Sequence, residues 1–294
     1  MLPGRLGLET ARIPHADRHG ILWLCRGNLT VTSGTLQFTT VGFKDLEAGV
    51  YAIPFQTVSV IILGPGCTVS HDVLRLLSRH GTGLIAAGED GVRFYAGMPF
   101  GPDDSRLARQ QVMAWAEVSG RRIEIVRRMY AWRLGEIFPG AEIEVLRGME
   151  GSRARTMYKR ISEQFNITWN GRRYDRNNPN ASDLPNQAIN HAASAVEGAA
   201  MIAVSATGTI PQLGFIHEDS GISFCLDIAD LFRDSITLPV AFEAVSKFRQ
   251  QMKGSIESIT RKLAGNAMRE KNVIPEMIDR IKKLFEDIPL KKDP

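Results

Sequence analysis

The hydrophobic pattern of the first hundred residues is that of β-strands. Apolar and polar positions alternate at residues 28–31 and 36–39, on either side of a turn at 32–34. Such alternation, interrupted by glycine and proline, is typical of half-buried strands joined by tight turns. It predicts a β domain. The other predicted elements are strands at 20–25, 58–63, 84–87 and 92–95, and one short helix that ends at Arg79 and is capped by Ser70 or Asp72.

Beyond residue 102 the pattern changes to that of α-helices. Apolar residues recur at three- and four-residue spacing at Ile123, Val126, Tyr130 and Leu134, which indicates one buried helix face. Further helices are predicted at about 142–165, at 186–206, and after Pro239 and Pro275, each proline suited to a first helical turn. The pattern predicts an α+β protein with a small β domain, residues 1–102, followed by a larger all-helical domain, residues 103–294.

Composition excludes several classes of protein. With 294 residues and 44% hydrophobic residues, the chain can bury the cores of two ordinary domains. Its longest apolar run, residues 199–204, is too short to span a bilayer, so no membrane association is expected. No basic-then-apolar leader is seen. The three cysteines lack CxxC spacing, which argues against a disulfide framework or a zinc knuckle and fits a reducing cytoplasm.

The distribution of charge is more informative than the net charge of +4. Residues 177–246 hold eight acidic residues and a single basic one, Arg233, whereas the segments on either side, 105–176 and 247–294, are basic. A carboxylate-rich pocket within a cationic surface suits metal-dependent chemistry on a polyanion. Ordinary variation of charge between solvated helix faces is the alternative that the counts leave open.

The richest cluster of ionisable residues surrounds His217. Asp227 and Asp230 lie three residues apart, so they share a face if the segment is helical, and Asp234 extends the row. Carboxylates crowded together repel each other unless a cation offsets them. Carboxylate oxygens with one imidazole suit Mg²⁺ or Mn²⁺. A solvated acidic helix face with an ordinary loop histidine remains the alternative.

The chain lacks G-x-S-x-G, P-loop and G-x-G-x-x-G motifs, so esterase chemistry and nucleotide binding lack support.

Glu150 is the second candidate because glycines, Gly148 and Gly151, stand on both sides of it. A glycine inside a helix costs roughly 1 kcal/mol relative to alanine. Two of them so placed indicate close approach by another helix or by a backbone. The alternative is a surface glutamate paired with Arg147 and Arg153 at three-residue spacing.

The candidate residues belong to longer segments, which are LRGMEGSR at 146–153, ITWNGRRYD at 167–175, GFIH at 214–217 and SFCLDIAD at 223–230, with VSH at 69–71, Arg75 and GVRFY at 91–95 in the β domain. Together these segments resemble a known family, the CRISPR-associated integrase of type I-E systems, which inserts captured foreign DNA into a CRISPR array. The resemblance covers most of the chain, and its motifs occur in the same order.

The resemblance implies a β-sandwich-like N-terminal domain that serves dimerisation and DNA contact, and a helical catalytic domain. It implies that Glu150, His217 and Asp230 are catalytic and bind one divalent metal, Mg²⁺ or Mn²⁺, with Asp227 as a nearby acidic partner. Asp219 and Asp234 stay surface carboxylates. The implied assembly is a homodimer that joins a small ferredoxin-like CRISPR adaptation protein in a heterohexamer.

The implied reaction is attack by a DNA 3′-hydroxyl on a phosphodiester at the leader–repeat boundary of the array. A metal lowers the hydroxyl pKa and offsets charge on the phosphorus. Double-stranded DNA, the captured fragment and the repeat, is the expected partner, and Arg75, Arg93 and Arg233 match basic positions of relatives. Each of these arginines could instead make an ordinary surface salt bridge.

Two positions depart from close relatives, which have tyrosine where this chain has Arg26 and Glu197. Two other functions also fit the residues. One is a metal-dependent nuclease that acts on branched DNA without strand transfer. The other is a non-catalytic DNA-binding scaffold.

Overall fold

The structure, a computed structural model, describes residues 20–97, 105–116, 120–173, 183–251 and 254–289. Within these ranges the strands are β1 (Ile21–Leu24), β2 (Gly27–Thr32), β3 (Thr35–Thr40), β4 (Gly49–Ala52), β5 (Val60–Leu63), β6 (Cys67–Val69), β7 (Gly83–Ala87) and β8 (Phe94–Gly97). The helices are α1 (His71–His80), α2 (Arg106–Ala116), α3 (Arg121–Leu134), α4 (Ile143–Gln164), α5 (Leu184–Thr207), α6 (Ser223–Asp230), α7 (Leu238–Gln251), α8 (Ile256–Glu270) and α9 (Val273–Phe285).

The strands form two four-stranded sheets. The first has the order β1-β5-β7-β8, with β5 parallel to both β1 and β7 and β8 antiparallel to β7. The second has the order β4-β3-β2-β6 and contains the predicted hairpin, in which Thr32 pairs with Thr35. Its turn residues, Ser33 and Gly34, both have positive φ, as a two-residue turn that matches the twist of the strands requires.

Strand β5 is buried on both faces, and this places the first sheet between two cores. Ile61 and Leu63 pack with the second sheet and α1, whereas Val60 and Ile62 point the other way and pack with the C-terminal helices. Because successive side chains of a strand point to opposite faces, an unbroken apolar run is what such a position needs. The β region and the helices therefore share one of the two cores.

Helix α5 is the centre of the helical part and contacts α6, α7, α8 and α9. It begins at Asp183, whose side chain accepts the amide hydrogen of Asn186, and ends at Gly208 in the left-handed conformation. A side chain on Gly198 would lie 3.0 Å from the Cα of Arg93 and 3.1 Å from the carbonyl carbon of Val92. The small residues of α5 thus let it approach the backbone that leads into β8.

The predicted α+β fold class, a β region followed by helices, is confirmed. The periodic segments predicted as helices correspond to α3, α4, α5, α7 and α9, while α2 and α8 were not predicted individually. The predicted domain boundary at residues 102 and 103 lies outside the described residues. Among the helices described, no segment has the length and apolar character needed to cross a membrane.

Candidate active site

Asp227 of α6 organises the loop that carries His217. Its Oδ2 atom accepts the amide hydrogens of Phe215 (2.5 Å) and Ile216 (3.1 Å), and its Oδ1 accepts the amide hydrogen of His217 (2.9 Å). Nδ1 of the His217 ring lies 2.8 Å from the same Oδ1. Asp227 is only 1% exposed, and its oxygens are used within the protein. It therefore holds the histidine in place and is not available as a metal ligand here.

The Asp227 bond also determines which ring nitrogen of His217 is available. When Nδ1 donates its hydrogen to a carboxylate, Nε2 carries the free lone pair, which is the arrangement found for histidine ligands of metals. The hydrogen bond to Asp227 raises the pKa of His217, although burial opposes this. Nε2 lies 4.0 Å from Oδ2 of Asp230.

A glycine is required where this loop turns. A Cβ atom on Gly214 would lie 2.2 Å from the carbonyl oxygen of His217 and 2.7 Å from Cβ of Ser223, closer than real Cβ contacts occur. The GFIH motif begins with glycine because the loop folds back on itself there. This brings three successive amides within reach of Asp227.

The row of three aspartates predicted from spacing is interrupted. Helix α6 ends at Asp230, and Asp234 belongs to a separate π-helical turn, Arg233–Thr237. Asp227 points into the protein, whereas the Asp230 side chain is 25% exposed. The prediction that all three share one helix face is wrong, because the helix does not continue past Asp230.

Glu150 lies on α4, and both sequence-based interpretations of its surroundings are wrong. Among the described residues, nothing lies within 4 Å of a Cβ placed on Gly148 or Gly151, so no helix or backbone of that part of the chain approaches there. Its ion pair, within the described part of the chain, is not with its neighbours on α4. It is with Arg133 of α3, whose Nη1 lies 2.6 Å from Oε1 of Glu150.

Arg133 brings Glu150 and Asp230 together. The same Nη1 atom is 3.5 Å from Oδ2 of Asp230, and the Arg133 side chain is 7% exposed.

Tyr130, one turn earlier on α3, is fully buried beside Glu150. Burial raises the pKa of Tyr130, and the charge of Glu150 raises it further. Burial likewise raises the pKa of Glu197 on α5, and the charge of Asp230 adds to the effect.

Arg233 belongs to this site rather than to an open surface. It donates to Oδ1 of Asp230 (3.3 Å) and to the hydroxyl of Tyr158 (2.8 Å). The Tyr158 ring stacks on Trp169, with ring centroids 4.8 Å apart. The other two arginines predicted to contact DNA make surface ion pairs, Arg75 with Asp72 (2.9 Å) and Arg93 with Glu257 (3.1 Å).

The motif at 167–173 docks on the start of α5. Arg172 donates to the side-chain oxygens of Asn186 (3.1 Å) and Asn190 (2.6 Å), and Asn186 donates to the carbonyl of Gly171. These bonds hold the segment that contains Trp169 beside the site. Residues 174 and 175 of the motif lie outside the described residues.

The donor types at the site fit a hard divalent cation. Carboxylate oxygens from Glu150 and Asp230 and the Nε2 atom of His217, oriented by a buried carboxylate, are the ligands that Mg²⁺ or Mn²⁺ takes. The positive group present between the two carboxylates is the guanidinium of Arg133. In the described ranges, no three acidic, histidine or cysteine side chains stand close enough to form a metal-binding group.

Arg133, Tyr130 and the positioning role of Asp227 were missed at the level of sequence. The spacing predicts Tyr130 as a core residue, which is correct for its ring, but its hydroxyl is also near enough to Glu150 for that carboxylate to raise its pKa. Arg133 is one of five arginines in α3, and nothing in the spacing separates it from those that face solvent. Only contact with α4 and α6 shows its role.

Comparison with known proteins finds one family. Residues 133–277 match the family model described as "CRISPR associated protein Cas1". The segment begins at Arg133 and includes Glu150, His217 and Asp230. The chain is 35% identical over 265 residues to "CRISPR-associated endonuclease Cas1 3" of Methanospirillum hungatei, which covers 90% of this chain and 86% of the relative.

Two further relatives also match most of this chain. "CRISPR-associated endonuclease Cas1" of Escherichia coli is 38% identical over 233 residues, 79% of this chain and 74% of the relative. Among solved structures, the TtCas1–DNA complex superposes with a TM-score of 0.81 at 31% identity, covering 92% of this chain and 98% of that one.

Proposed function

Because the chain belongs to the Cas1 family of CRISPR-associated endonucleases, we propose that it is a metal-dependent DNA integrase. It inserts foreign DNA fragments into the CRISPR array by attack of a DNA 3′-hydroxyl on a phosphodiester at the leader–repeat boundary. The observation that carries the proposal is that Glu150 of α4, Asp230 of α6 and His217 of the loop lie side by side: Arg133 contacts both carboxylates, and Nε2 of His217 lies 4.0 Å from Oδ2 of Asp230.

In this proposal Glu150, His217 and Asp230 hold Mg²⁺ or Mn²⁺. The bound metal would activate the attacking hydroxyl and offset charge that develops on the phosphorus. Asp227 keeps the His217 ring oriented so that Nε2 faces the site. Arg233, which is fixed by Tyr158 and Asp230, supplies a positive charge that can bind the phosphate undergoing attack.

DNA binding by Arg75, Arg93 and Arg233 is part of the same proposal. The DNA complex of the structurally similar TtCas1 supports it, and so do the basic segments 105–176 and 247–294. Arg75 and Arg93 lie outside the site, on α1 and just before β8, where they would contact the sugar–phosphate backbone. Contacts of that kind position DNA without reading its sequence.

The proposed assembly follows from the family resemblance. Residues 1–102 would serve dimerisation and DNA contact, and residues 103–294 would form the metal-dependent catalytic domain. A homodimer would bind a small ferredoxin-like adaptation protein to give a heterohexamer, and the cytoplasm would be its location. Two sites in one assembly could then join the two ends of a fragment to opposite strands.

A nuclease without strand transfer is the second candidate, because the relatives are named endonucleases. Water in place of the 3′-hydroxyl would turn the same residues to hydrolysis, for example of branched DNA. A non-catalytic scaffold is the third. DNA binding alone does not require the Asp227–His217 hydrogen bond or two neighbouring carboxylates, so this candidate does not explain them.

One assay separates the three. Labelled duplex with free 3′-hydroxyls is incubated with supercoiled plasmid carrying a CRISPR array, Mn²⁺ and the small adaptation protein. We expect labelled, strand-joined plasmid, and none when the duplex ends in 3′-deoxynucleotides. Cleavage that is unaffected by the 3′-deoxy ends would support the nuclease, and binding without any reaction would support the scaffold.

The residue assignment is tested in the same assay. Glu150→Gln and Asp230→Asn should abolish joining while DNA binding is retained. The matched control is Glu163→Gln, which changes an exposed glutamate on the same helix α4 and should join at the rate of the unmodified protein. Joining at that rate by E150Q or D230N would end the assignment.

A further inference from the structure

Arg133 is a buried positive charge placed between two carboxylates from different helices. Its Nη1 atom lies 2.6 Å from Oε1 of Glu150 on α4 and 3.5 Å from Oδ2 of Asp230 on α6. Its side chain is 7% exposed. A guanidinium this deeply placed is retained only where anionic partners compensate for its desolvation. The buried charge of Arg133 and the charges of the two carboxylates therefore compensate for each other.

Other charged groups lie near these two carboxylates. Glu197 is near enough for the charge of Asp230 to act on it, and Nε2 of His217 lies 4.0 Å from Oδ2 of Asp230. A second cation, Arg233, contacts Oδ1 of Asp230, and the charge of Glu150 also acts on it, but the ion pair of Glu150 is with Arg133. Without a positive group between them, Glu150 and Asp230 would repel each other.

We propose that Arg133 is the built-in counter-cation of this site, and that it competes with a divalent metal for the carboxylates of Glu150 and Asp230. The inference rests on the proposed function, in which these residues are metal ligands, and it adds a way in which metal occupancy is regulated. A metal bound to Glu150 must draw Oε1 away from Arg133 or tolerate its positive charge nearby. Either case weakens metal binding, while Arg133 keeps the metal-free site assembled.

The first test is Mn²⁺ binding to the metal-free protein, measured by calorimetry. Arg133→Gln keeps a polar side chain but removes the charge, and it should lower the dissociation constant for Mn²⁺ by about tenfold. Arg133→Lys keeps the charge and should stay within about threefold of the unmodified protein. An unchanged or weaker Mn²⁺ affinity in R133Q would overturn the proposal.

A control on the same helix separates competition from a general effect of charge. Arg128 of α3 also makes an ion pair, with Asp287 at 2.8 Å, but its contacts are with the end of α9 and the residues after it, not with α4 or α6. Arg128→Gln makes the same change in net charge and should leave the Mn²⁺ affinity unaltered. A gain equal to that of R133Q would mean that long-range charge alone is responsible.

The second test is thermal stability. Without metal, R133Q should melt roughly 5 °C below the unmodified protein, since the two carboxylates lose their partner. Saturating Mn²⁺ should remove most of this difference, because the metal replaces the guanidinium. A deficit that persists in full under saturating Mn²⁺ would show that Arg133 is only structural. If R133Q folds only when Mn²⁺ is present, the proposal is supported, and if it folds in neither condition, the proposal fails.

Failure of this inference can be told apart from failure of the proposed function. If the unmodified protein and Glu150→Gln give the same Mn²⁺ titration, the metal site itself is wrong, and the competition falls with it. If E150Q loses Mn²⁺ binding but R133Q matches the unmodified protein, the metal site stands. In that case only the role of Arg133 is overturned.

Discussion

The Nδ1 atom of His217 lies 2.8 Å from Oδ1 of Asp227, a carboxylate that also accepts three backbone amide hydrogens. This pair gives Asp227 and Asp230 different tasks although they stand one helical turn apart. Asp227 fixes the loop and the ring, and Asp230 faces the site. The orientation of the candidate ligand His217 thus depends on a residue that is not itself free to bind metal.

Asp227→Asn should weaken metal binding and destabilise the fold. An asparagine offers one oxygen instead of two and turns an NH₂ group toward amide donors, so buried N–H groups lose their acceptor. We expect the dissociation constant for Mn²⁺ to rise by about 10- to 100-fold. The free energy of unfolding should fall by about 2–3 kcal/mol. Calorimetry and urea denaturation measure the two effects.

The matched control is Asp219→Asn, which alters an exposed aspartate in the same region. It should change neither quantity. Equal effects of D227N and D219N would show that charge in this region, and not the bond to His217, is what matters.

Gly214→Ala should displace His217. The added Cβ would lie 2.2 Å from the His217 carbonyl oxygen, a backbone atom that cannot move without shifting the loop. We expect weaker Mn²⁺ binding and a lower melting temperature. Gly221→Ala is the control, because nothing lies within 4 Å of a Cβ at that position. If the two variants have the same Mn²⁺ affinity, the loop is not under the constraint described.

Asp90 should link stability to pH. It pairs through Oδ1 with Arg269 of α8 (2.7 Å) and with Lys44 (3.1 Å). Burial alone would raise the pKa of Asp90, but these two cations outweigh it and lower the pKa below its usual 3.8. Because this pKa is lowered in the folded protein, the ionised Asp90 carboxylate stabilises the fold fully above pH 3.8. This stabilisation is lost as the pH falls through the folded-state value.

Asp90→Asn isolates this contribution because asparagine also tolerates the left-handed conformation of this residue, φ 54°. The variant should be less stable than the unmodified protein by about 1–2 kcal/mol at pH 7. The difference should shrink below pH 3.8. Urea denaturation at several pH values measures it, and a difference that does not depend on pH would contradict the assignment.

Arg75→Gln and Arg93→Gln should each weaken DNA binding and reduce its salt dependence. Loss of one phosphate contact makes the negative slope of log K against log[salt] less steep by about 0.9, to a similar extent for every DNA sequence. Fluorescence anisotropy at a series of salt concentrations gives these slopes.

The acidic partners of these arginines supply the controls. Asp72→Asn and Glu257→Gln break the same surface ion pairs but leave the arginines free to bind phosphate. DNA affinity should therefore be kept or slightly increased. If R75Q and D72N behave alike, Arg75 makes only an ordinary surface ion pair.

The amino-acid sequence was sufficient for the succession of a β region and a helical region, for several of their elements, and for the choice of candidate ligands. Alternation predicted the hairpin of β2 and β3, helical periodicity predicted α3, and the family resemblance singled out Glu150, His217 and Asp230. Periodicity works for these elements because each buries one face, and that face leaves a local trace in the spacing of apolar residues.

What surrounds each candidate ligand was decided only by the tertiary structure. Spacing placed Asp227, Asp230 and Asp234 in one row, but α6 ends at Asp230. The glycines beside Glu150 suggested a close neighbour, yet the partner of Glu150 is Arg133, 17 positions earlier on another helix. An ion pair or a hydrogen bond between separate elements depends on how those elements pack, and a charged side chain has the same letter in the sequence whether it faces water or a buried carboxylate.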